Sequence, residues 1–549
     1  MTREPEPAPA AEAMPAAETR LEPARAASAA VVPALTKRAP DRHDRIPAGV
    51  RIIAGTLTDA GHEAYLVGGC VRDLLRGVEP ADWDMTTDAR PERILSMFPG
   101  ALYENRFGTV EVVVGGEAYQ VTTYRHDGPS ADHRRPDAVA FGERLEDDLA
   151  RRDFTVNAMA VAIGREVGAN PDAGPAGRPR PGHRAGVADG ASVPGCGAIQ
   201  DPFGGRADLA AGILRAVGDP ATRFREDALR MLRAVRFTAT LGFTLAPGTR
   251  TSIEAESRLA STLSGERVLA ELLTLLAAPV PSVGLRLAQE TGLLAAIAPE
   301  LARQRGVPQA KIAGEDLWDH TCRTVDAARR PAPGEPPLLR LAALLHDVGK
   351  PATFADGHFV GHDTVGASLA EAWLGELHSS RILAADVVNL VRHHMFAYEA
   401  SWTDAAVRRF IRRCGAASVE DLLDLRAADN VGSGLPPDAD GLESLRARCR
   451  EQLDARVALD LAGLAVNGDD LMKALEIGEG PELGVLLGRL LEMVVADPML
   501  NVRSRLLSAA RELIDPGAAG PGAGPSLAGG TEARGPGTGA GPDHGTQLT

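Results

Sequence analysis

The sequence predicts an α+β protein in which a mixed N-terminal head is followed by helical domains. Short runs rich in Val, Thr and Tyr cluster before Asn157, as expected of strands. After Asp208, segments rich in Leu, Ala and Arg recur at helical spacing. With 549 residues the chain is too long for one hydrophobic core, so several domains are expected.

The predicted elements of the head follow in chain order. A helix is expected from Ile46 to Ala60 and a strand from Ala64 to Val67. The alternating runs Thr109 to Val114 and Ala118 to Tyr124 predict a hairpin, because the glycine pair between them suits a tight turn.

Changes in composition mark the boundaries between segments. Residues 1–45 and 515–549, rich in Ala, Pro and Gly, are predicted to be disordered tails, and 168–198 a low-complexity surface insertion. The folded segments are a head (46–167), the end of the head with a helical neck (199–310), a further helical domain (311–435) and a helical tail (436–514).

Cysteine usage and hydropathy exclude several classes of protein. The cysteines are odd in number, scattered and never paired as Cys-x-x-Cys, which argues against a disulfide framework or a cysteine zinc site. They are Cys70, Cys196, Cys322, Cys414 and Cys449. No apolar run approaches the roughly 20 residues of a spanning helix, so no membrane partner is expected and the predicted location is the cytoplasm.

Charge is distributed unevenly along the chain. The net charge of -15 does not by itself favour an RNA partner, but binding depends on local clusters. Arginines bunch at Arg134-Arg135, Arg151-Arg152, Arg223 to Arg236 and Arg408 to Arg413, and guanidinium groups suit phosphates. A GC-rich genome would explain the preference for arginine over lysine, though not the bunching.

Two carboxylates, Asp82 and Asp84, follow a glycine pair, Gly68-Gly69. In an extended strand, residues i and i+2 face the same side, so both carboxylates could hold divalent cations. A glycine pair lets the backbone approach a triphosphate, and Arg72 could neutralise part of its charge. This order suits two-metal phosphoryl transfer, although Asp-x-Asp alone is more often a solvated turn.

A second charged motif is Arg151-Arg152-Asp153-Phe154-Thr155. Charge runs are usually solvated faces, but this one leads into the apolar run Ala158 to Val161 and is better placed at the rim of a cleft. Arg152 could then contact a triphosphate, and Asp153 a ribose or a metal.

A third motif predicts a helix with one polar stripe. Asp227, Arg230, Arg233 and Arg236 recur every three residues, while Leu229, Leu232 and Val235 would face the core. Such a stripe could bind the edge of a base and then its phosphates, so that protein side chains act as the template. The alternative is a solvent-facing helix with an Asp-Arg pair.

Together these motifs resemble the class II tRNA nucleotidyltransferase and bacterial poly(A) polymerase family. The resemblance covers roughly residues 46–300 plus a helical C-terminal body, and it implies a polymerase-β-like nucleotidyltransferase head. It implies that Asp82 and Asp84 hold Mg2+ and that Gly69, Arg72 and Arg152 bind the nucleotide. It also implies that Asp227 and Arg230 contact the Watson-Crick edge of CTP or ATP, supported by Arg233 and Arg236.

The chain departs from this family at one position. Relatives commonly carry Glu where this chain has Gln120, so a third carboxylate is missing there, and Asp153 could supply it. The segment Asp127 to Pro136 matches the flexible loop that helps these enzymes change from C to A addition. The stretch Tyr103 to Val110 favours the CCA-adding branch over the polymerases, which typically carry a more basic stretch there.

A separate pair, His346-Asp347, ends an apolar helix and resembles the HD phosphohydrolase domain. That resemblance implies His320, His346, Asp347 and Asp429 as ligands of one metal, with His362 and His393, or its neighbour His394, for a second. Imidazole and carboxylate ligands suit Mn, Ni, Fe or Zn. Structural histidines or an inactive domain are the alternatives, although seven of the 13 histidines fall between His320 and His394.

The favoured hypothesis is a CCA-adding tRNA nucleotidyltransferase, with the tRNA 3' end, CTP and ATP as partners and with an RNA-binding helical tail. An accessory phosphomonoesterase or 2',3'-cyclic phosphodiesterase activity is compatible with the HD motif. The alternatives are a poly(A) polymerase, or chiefly an HD phosphohydrolase with an RNA-binding N-terminal module. Oligomeric state stays open.

Overall fold

The computed structural model describes residues 46–103, 108–127, 139–163, 197–309 and 311–514. Both predicted tails lie outside the described residues, as do nearly all of the predicted insertion and of the loop Asp127 to Pro136. Within the described part, the chain divides into two compact units. The first runs to Glu399 and includes 417–443, and the second comprises 400–416 and the residues from 444 onward.

The head is built on a seven-stranded sheet with the order β3-β4-β5-β2-β1-β8-β9. β2 pairs with β5 in parallel, and the other neighbours pair antiparallel. The strands are β1 (Tyr65–Val67), β2 (Asp84–Thr87), β3 (Leu102–Tyr103), β4 (Thr109–Val114), β5 (Glu117–Thr123), β6 (Arg125–Asp127), β7 (Val139–Phe141), β8 (Ala160–Ala162) and β9 (Ile199–Gln200). β6 and β7 form a separate two-stranded sheet.

The predicted hairpin is confirmed as β4 and β5. Gly115 and Gly116 form its turn with φ angles of 65° and 90°, which glycine adopts at little cost. Val110 pairs with Val121 on the buried face of the sheet, where the strands pack into the head core with helix α1 (Ala48–Asp59). On the opposite face, Val67 on β1 and Ala160 on β8 are covered by Leu145 and Leu149, whereas β4 and β5 present an open face with partly exposed polar side chains.

The remaining helices begin in the head and continue through the neck. They are α2 (Gly69–Arg76), α3 (Pro91–Met97), α4 (Leu145–Ala150), α5 (Gly205–Ala211), α6 (Pro220–Glu226), α7 (Leu229–Leu241), α8 (Pro247–Glu256), α9 (Gly265–Leu276), α10 (Pro281–Glu290), α11 (Leu293–Ile297) and α12 (Pro299–Ala302). The short strands β10 (Ile213–Leu214) and β11 (Thr244–Leu245) pair in parallel on either side of α7 in sequence.

From Asp208 onward the chain is mostly helical, as predicted, and this pattern continues in the region after Pro308. Its helices are α13 (Leu317–Ala327), α14 (Leu338–Leu345), α15 (Lys350–Thr353), α16 (His362–Glu376), α17 (Arg381–His393), α18 (Asp404–Cys414), α19 (Val419–Gly432), α20 (Leu442–Asp454), α21 (Gly468–Leu475), α22 (Pro481–Ala496) and α23 (Arg503–Ile514). A short hairpin, β12 (Phe354–Ala355) and β13 (His358–Phe359), precedes α16.

The second unit has a hydrophobic core of its own. Leu471, Leu490, Val494, Val495 and Leu506 are buried together at the contacts of α21, α22 and α23. In the whole of the described part of the chain, no helix combines the length and apolarity needed to cross a membrane. The predicted α+β class is confirmed, since one mixed head is followed by helices.

Candidate active site and metal centre

The turn between β1 and α2 lies against both Asp84 and Arg152. Gly68 has a φ of 79°, in the region that favours glycine. A Cβ at Gly68 would lie 2.7 Å from Nη1 of Arg152 and 3.8 Å from Oδ2 of Asp84. Only glycine satisfies both the conformation and the close approach. Three motifs far apart in sequence therefore meet at this turn.

Asp84 begins strand β2, whereas Asp82 is exposed and lies just before the strand. Burial raises the pKa of Asp84, Arg152 opposes the rise, and Asp82 adds to it. A half-buried carboxylate beside a second one favours an added cation, which would relieve both effects. Oxygen ligands of this kind are those that Mg2+ prefers.

Arg72 is held by two neighbours at the start of α2. Its guanidinium donates two hydrogen bonds to the carboxylate of Asp73, at 2.9 and 2.8 Å, and a third to Oδ1 of Asn157 at 2.7 Å. Arg72 and Asn157 are both buried. Asn157 was not among the predicted site residues, and its position after the Arg-Asp-Phe-Thr motif is the only sequence signal for it.

Asp153 is used by the protein rather than presented to a ligand. Its carboxylate accepts hydrogen bonds from Nε of Arg233 at 2.7 Å, from Nδ2 of Asn157 at 3.1 Å and from the backbone N–H of Phe154 at 2.8 Å. Burial raises the pKa of Asp153, but these partners, Arg233 foremost, outweigh it and lower the pKa to about 2. The structure therefore gives Asp153 an ion-pairing role, and the idea that it replaces a third metal ligand loses support.

The two arginines of this motif share one buried carboxylate that the sequence did not single out. Asp148 accepts hydrogen bonds from Arg151 at 2.9 and 2.7 Å and from Arg152 at 3.3 Å. Burial raises the pKa of Asp148, yet the two guanidinium groups lower it below its ordinary value. Asp148 thus orients Arg152 toward Gly68 and Asp84.

The turn Asp201-Pro202-Phe203-Gly204-Gly205 packs against the Arg-Asp-Phe-Thr motif. The carboxylate of Asp201 accepts hydrogen bonds from the backbone N–H groups of Gly205 and Arg206 at the start of α5. A Cβ at Gly205 would lie 2.1 Å from the carbonyl oxygen of Thr155, so only glycine permits this packing. Asp208 on the same helix accepts a hydrogen bond from Oγ1 of Thr155 at 2.7 Å.

Helix α7 carries the arginine stripe, but Asp227 lies just before the helix begins. Asp227 forms an ion pair with Arg267 on α9 at 2.8 Å and accepts a hydrogen bond from the backbone N–H of Leu229. Leu232 and Val235 are buried, as predicted, whereas Leu229 is half-buried.

Arg230 differs most from its predicted exposure, because it is only 9% exposed. Its guanidinium donates hydrogen bonds to Glu226 at 2.7 Å and to the carbonyl oxygens of Arg223 and Arg151 at 3.1 and 2.7 Å. These bonds join α7 to the segment that carries Arg152.

Phe237, which sequence inspection missed, lies at the centre of the arginine cluster. The guanidinium carbons of Arg72, Arg233 and Arg236 lie 5.5, 5.3 and 4.2 Å from its ring centroid. Its ring also packs edge-on against Phe154 at 5.8 Å. Arg236 pairs in addition with Glu271 at 2.8 Å. The arginine stripe of α7 and the Arg-Asp-Phe-Thr motif therefore pack against each other around Phe237.

The second candidate site brings together side chains from five separate places in the helical region. His320 lies on α13, His346 and Asp347 follow α14, and Asp429 lies on α19. Nε2 of His320 is 3.2 Å from Nε2 of His346 and 3.2 Å from Oδ1 of Asp429. His362, at the start of α16, completes the centre with His394, whose Nε2 lies 3.3 Å away.

Asp347 connects two halves of this centre. Its Oδ2 lies 3.4 Å from His320 and 3.1 Å from His346, whereas its Oδ1 lies 3.4 Å from His362 and 3.6 Å from His394. A carboxylate with one oxygen in each group of ligands can bridge two cations. Burial raises the pKa of Asp347, but His346 and Lys350 outweigh it and hold the pKa well below its usual range.

His393 and His394 differ in their positions relative to the centre. His394 is buried and belongs to one of the two groups of potential ligands, together with Asp347 and His362. His393 is the last residue of α17 and lies outside both groups. The sequence could not separate these neighbours, because a one-residue step rotates a side chain by about 100° around a helix.

The donor set of this centre fits a metal. Nδ1 of His346, His362 and His394 each lies 2.7 Å from a backbone carbonyl oxygen, which leaves Nε2 directed inward. Burial lowers the pKa of His346 and of His362, so that both favour the neutral imidazole that ligates metals.

Two lysines lie beside the centre: Lys311 pairs with Asp429 at 3.3 Å, and Lys350 pairs with Asp347 at 2.7 Å.

Three families of known domains match the chain in sequence. The Poly A polymerase head domain matches residues 64–171, the probable RNA and SrmB-binding site of polymerase A matches 242–305, and the HD domain matches 317–433. Each match coincides with a region described above: the sheet, the neck helices and the histidine centre.

Comparison with curated proteins finds tRNA nucleotidyltransferases. The CCA-adding enzyme of Geobacillus thermodenitrificans (strain NG80-2) is 43% identical over 234 residues, or 42% of this chain and 50% of that protein. The chain thus spans about half the length of the CCA-adding relatives of this group. The A-adding tRNA nucleotidyltransferase of Deinococcus radiodurans is 33% identical over 455 residues, which are 78% of this chain and 91% of that protein.

Among solved structures, the Bacillus stearothermophilus CCA-adding enzyme in complex with CTP matches with a TM-score of 0.60 and 29% identity. The match covers 85% of this chain and 97% of the solved chain. An apo form of a CCA-adding enzyme, at 18% identity and a TM-score of 0.54, shares the fold. With its head, neck and histidine centre in this order, the chain belongs to the tRNA nucleotidyltransferase and poly(A) polymerase family and carries an HD domain.

Proposed function

We propose that the protein adds C, C and A to the 3' ends of tRNA, using CTP and ATP and releasing pyrophosphate. The observation that carries the proposal is the meeting of Gly68, Asp84 and Arg152 at one turn. That arrangement sets an approachable backbone, a metal-binding carboxylate and a phosphate-binding guanidinium within a few ångströms of each other. The sequence matches to CCA-adding enzymes over slightly less than half of this chain support it.

In this proposal the residues of the head bind and orient the triphosphate. Gly69 and Arg72 at the start of α2 line one side, and Arg152, oriented by Asp148, lies on the other. Asp82 and Asp84 would hold Mg2+, which supplies Lewis-acid stabilisation of the charge that develops as pyrophosphate leaves. The 3' hydroxyl of the tRNA attacks the α-phosphate in line with that leaving group.

Base selection is assigned to the start of α7. Asp227 offers acceptors and Arg230 offers donors, a set that matches the Watson-Crick edges of cytosine and adenine. Arg230 would exchange its bond to Glu226 for the base while keeping its bond to the carbonyl of Arg151. Arg233 and Arg236 support this arrangement through Asp153 and Phe237.

The test uses purified full-length protein and two tRNA substrates. One tRNA ends before the CCA and the other ends in CC, and each receives CTP, ATP or both. Addition of three nucleotides to the first and of one A to the second supports the proposal. A long A tail from ATP alone would instead support poly(A) polymerase activity.

A second candidate, addition of only the terminal A, is favoured by one observation. The relative that the chain matches over 91% of its length is an A-adding enzyme. The same assay separates the two, because an A-adding enzyme would extend the tRNA that ends in CC and leave the shorter tRNA unchanged.

We infer an accessory phosphohydrolase activity for the HD domain. The inward-facing imidazoles, with Asp347 between them, fit two transition-metal cations such as Mn, Ni, Fe or Zn. Lys311 and Lys350 place positive charge beside this centre, which favours a phosphate ester as substrate. Release of phosphate from RNA ending in a 3'-phosphate, or opening of a 2',3'-cyclic phosphate, would test this activity, and His346→Ala should abolish the activity.

A tRNA substrate favours a cytoplasmic location for the protein.

A further inference from the structure

The cation site proposed for the head has two carboxylates, and the residue suggested as a third, Asp153, is engaged by other groups. Within the described residues, the groups of three or more potential ligands both lie in the HD domain. The head contributes Asp82 and Asp84, and the strand position paired with Asp84 holds the uncharged Gln120. Asp153 is already occupied by Arg233, Asn157 and a backbone N–H.

The register of the sheet points to another carboxylate. Asp84 on β2 pairs with Gln120 on β5, and Gln120 pairs with Glu111 on β4. Residues paired across neighbouring strands point to the same face, so these three side chains form one row on the open face. The adjacent row shows the same orientation, because Oγ1 of Thr109 lies 3.3 Å from Oγ1 of Thr122.

Glu111 is free to act in this row. It is half-buried, and among the described residues it makes no hydrogen bond or ion pair. Val110 and Val112 on either side of it are buried in the core, so the strand cannot turn Glu111 inward without exposing them.

The distance across the row sets how Glu111 could act. Strands lie about 4.8 Å apart, so Asp84 and Glu111, two strands apart, are separated by roughly 10 Å along the sheet. Mg2+ usually keeps several water ligands in proteins. A cation held by Asp84 can therefore reach Glu111 through one of its bound waters, above the side chain of Gln120.

We propose that Glu111 supplies the third carboxylate of the cation site in the head, as a positioning residue that holds a cation-bound water. The inference rests on the proposed nucleotidyl transfer, since it concerns the same site. It is also compatible with the uncharged Gln120, because Glu111 pairs with Gln120 in the same row and places a negative charge on the neighbouring strand.

The test measures Mn2+ binding to the full-length protein by electron paramagnetic resonance of the free ion, with CTP present. Asp84→Ala first identifies which binding sites belong to the head, because the HD sites stay constant in every variant. Glu111→Gln should weaken binding at those head sites by about 10- to 100-fold, the usual cost of losing an outer-sphere ligand partner. Adding Gln120→Glu to the Glu111→Gln variant should recover most of the affinity.

The control is Glu117→Gln in the same hairpin, whose side chain accepts a hydrogen bond from Tyr119 on the opposite face. Its head affinity should equal that of the parent. Equal affinity in Glu111→Gln and the parent, or a loss that Gln120→Glu does not repair, would overturn the inference. If the parent extends no tRNA yet Glu111→Gln loses Mn2+, the proposed function fails and the inference stands.

Discussion

At the scale of single residues, the candidate site depends on a few positions at which only one side chain fits. Gly68 is one, because it combines a left-handed backbone with a close approach to Arg152. Asp153 is another, because its hydrogen bond from Arg233 ties the head to α7, while Asn157 and the backbone N–H of Phe154 hold the same carboxylate in place. The order of the motifs indicated that these residues matter, but their partners depend on contacts between distant segments.

Gly68→Ala should impair nucleotidyl transfer by displacing Arg152. The new methyl group would lie 2.7 Å from the guanidinium, so Arg152 must move away from the triphosphate. We expect the KM for CTP to rise at least tenfold, with a stability loss of about 1–2 kcal/mol from the backbone strain. Steady-state kinetics and thermal unfolding would measure the two effects.

The matched control is Gly77→Ala at the end of α2. Gly77 also has a positive φ, of 74°, but a Cβ there would meet nothing within 4 Å. Because Gly77 has a left-handed helical backbone, the substitution should cost about 1 kcal/mol of stability while the KM for CTP stays unchanged. A similar rise in KM in both variants would show that backbone strain, rather than displacement of Arg152, is the cause.

Asp153→Asn should destabilise the protein in a pH-dependent way. The pKa of Asp153 is lowered to about 2, so its ion pair contributes stability above the ordinary carboxyl pKa and loses it as the pH falls toward 2. We expect a difference of about 2–3 kcal/mol in the free energy of unfolding at pH 7. Urea unfolding of both proteins between pH 7 and pH 3 would show this difference shrinking below pH 4. A gap that is constant across that range would contradict the assigned ion pair.

His394→Ala should remove more metal from the HD domain than His393→Ala does. Nε2 of His394 lies 3.6 Å from Asp347, whereas His393 lies outside both ligand groups. Elemental analysis of the two purified variants after loading with Mn2+ would compare them directly. Equal metal content in both would argue against a second cation between Asp347, His362 and His394.

At the scale of elements, α7 packs against the segment that carries Arg152 and is also the proposed base-binding element. The recurrence of charged residues every three positions was enough to predict a helix with one apolar face, and Leu232 and Val235 are buried accordingly. The burial of Arg230 was not predictable from periodicity, because its bonds go to the carbonyl oxygens of Arg223 and Arg151. A helix pattern specifies which residues share a face, but not which residues another segment will cover.

Phe237→Leu should disturb the packing between α7 and the Arg-Asp-Phe-Thr motif without unfolding the protein. The substitution keeps an apolar side chain but removes the ring that Arg72, Arg233 and Arg236 approach. Loss of these contacts should cost about 1–3 kcal/mol of stability and reduce transfer several-fold. The control is Phe243→Leu just after α7, where one guanidinium, that of Arg76, lies over the ring at 5.8 Å. Equal losses of activity in both variants would exclude a specific role for the cluster.

At the scale of the whole molecule, two sets of acidic side chains occupy separate parts of one compact unit. Asp84 lies on the sheet of the head, whereas Asp347 lies among the helices of the HD domain. The two sites share no ligand, so a substitution that abolishes the activity of one site should leave the activity of the other unchanged.

Asp84→Ala should abolish nucleotide addition and leave phosphate release unchanged, and Asp347→Ala should do the reverse. Nucleotide addition would be followed on tRNA that ends in a free 3' hydroxyl, and phosphate release on RNA that ends in a 3'-phosphate. Tryptophan fluorescence during RNA titration should show that Asp84→Ala still binds RNA. Transfer that persists in Asp84→Ala would refute the assignment of the metal pair.

The sequence by itself determined the α+β class, the hairpin at Gly115-Gly116, the helical region after Asp208 and the residue types of both candidate sites. These features depend on periodicity, turn chemistry and short motifs, which are local properties of the chain. Tertiary structure decided that Asp153 pairs with Arg233, that His394 rather than His393 joins the HD centre, and that Glu111 shares a row with Asp84. Each of these depends on register or packing between segments distant in sequence, where a shift of one residue would place a different side chain.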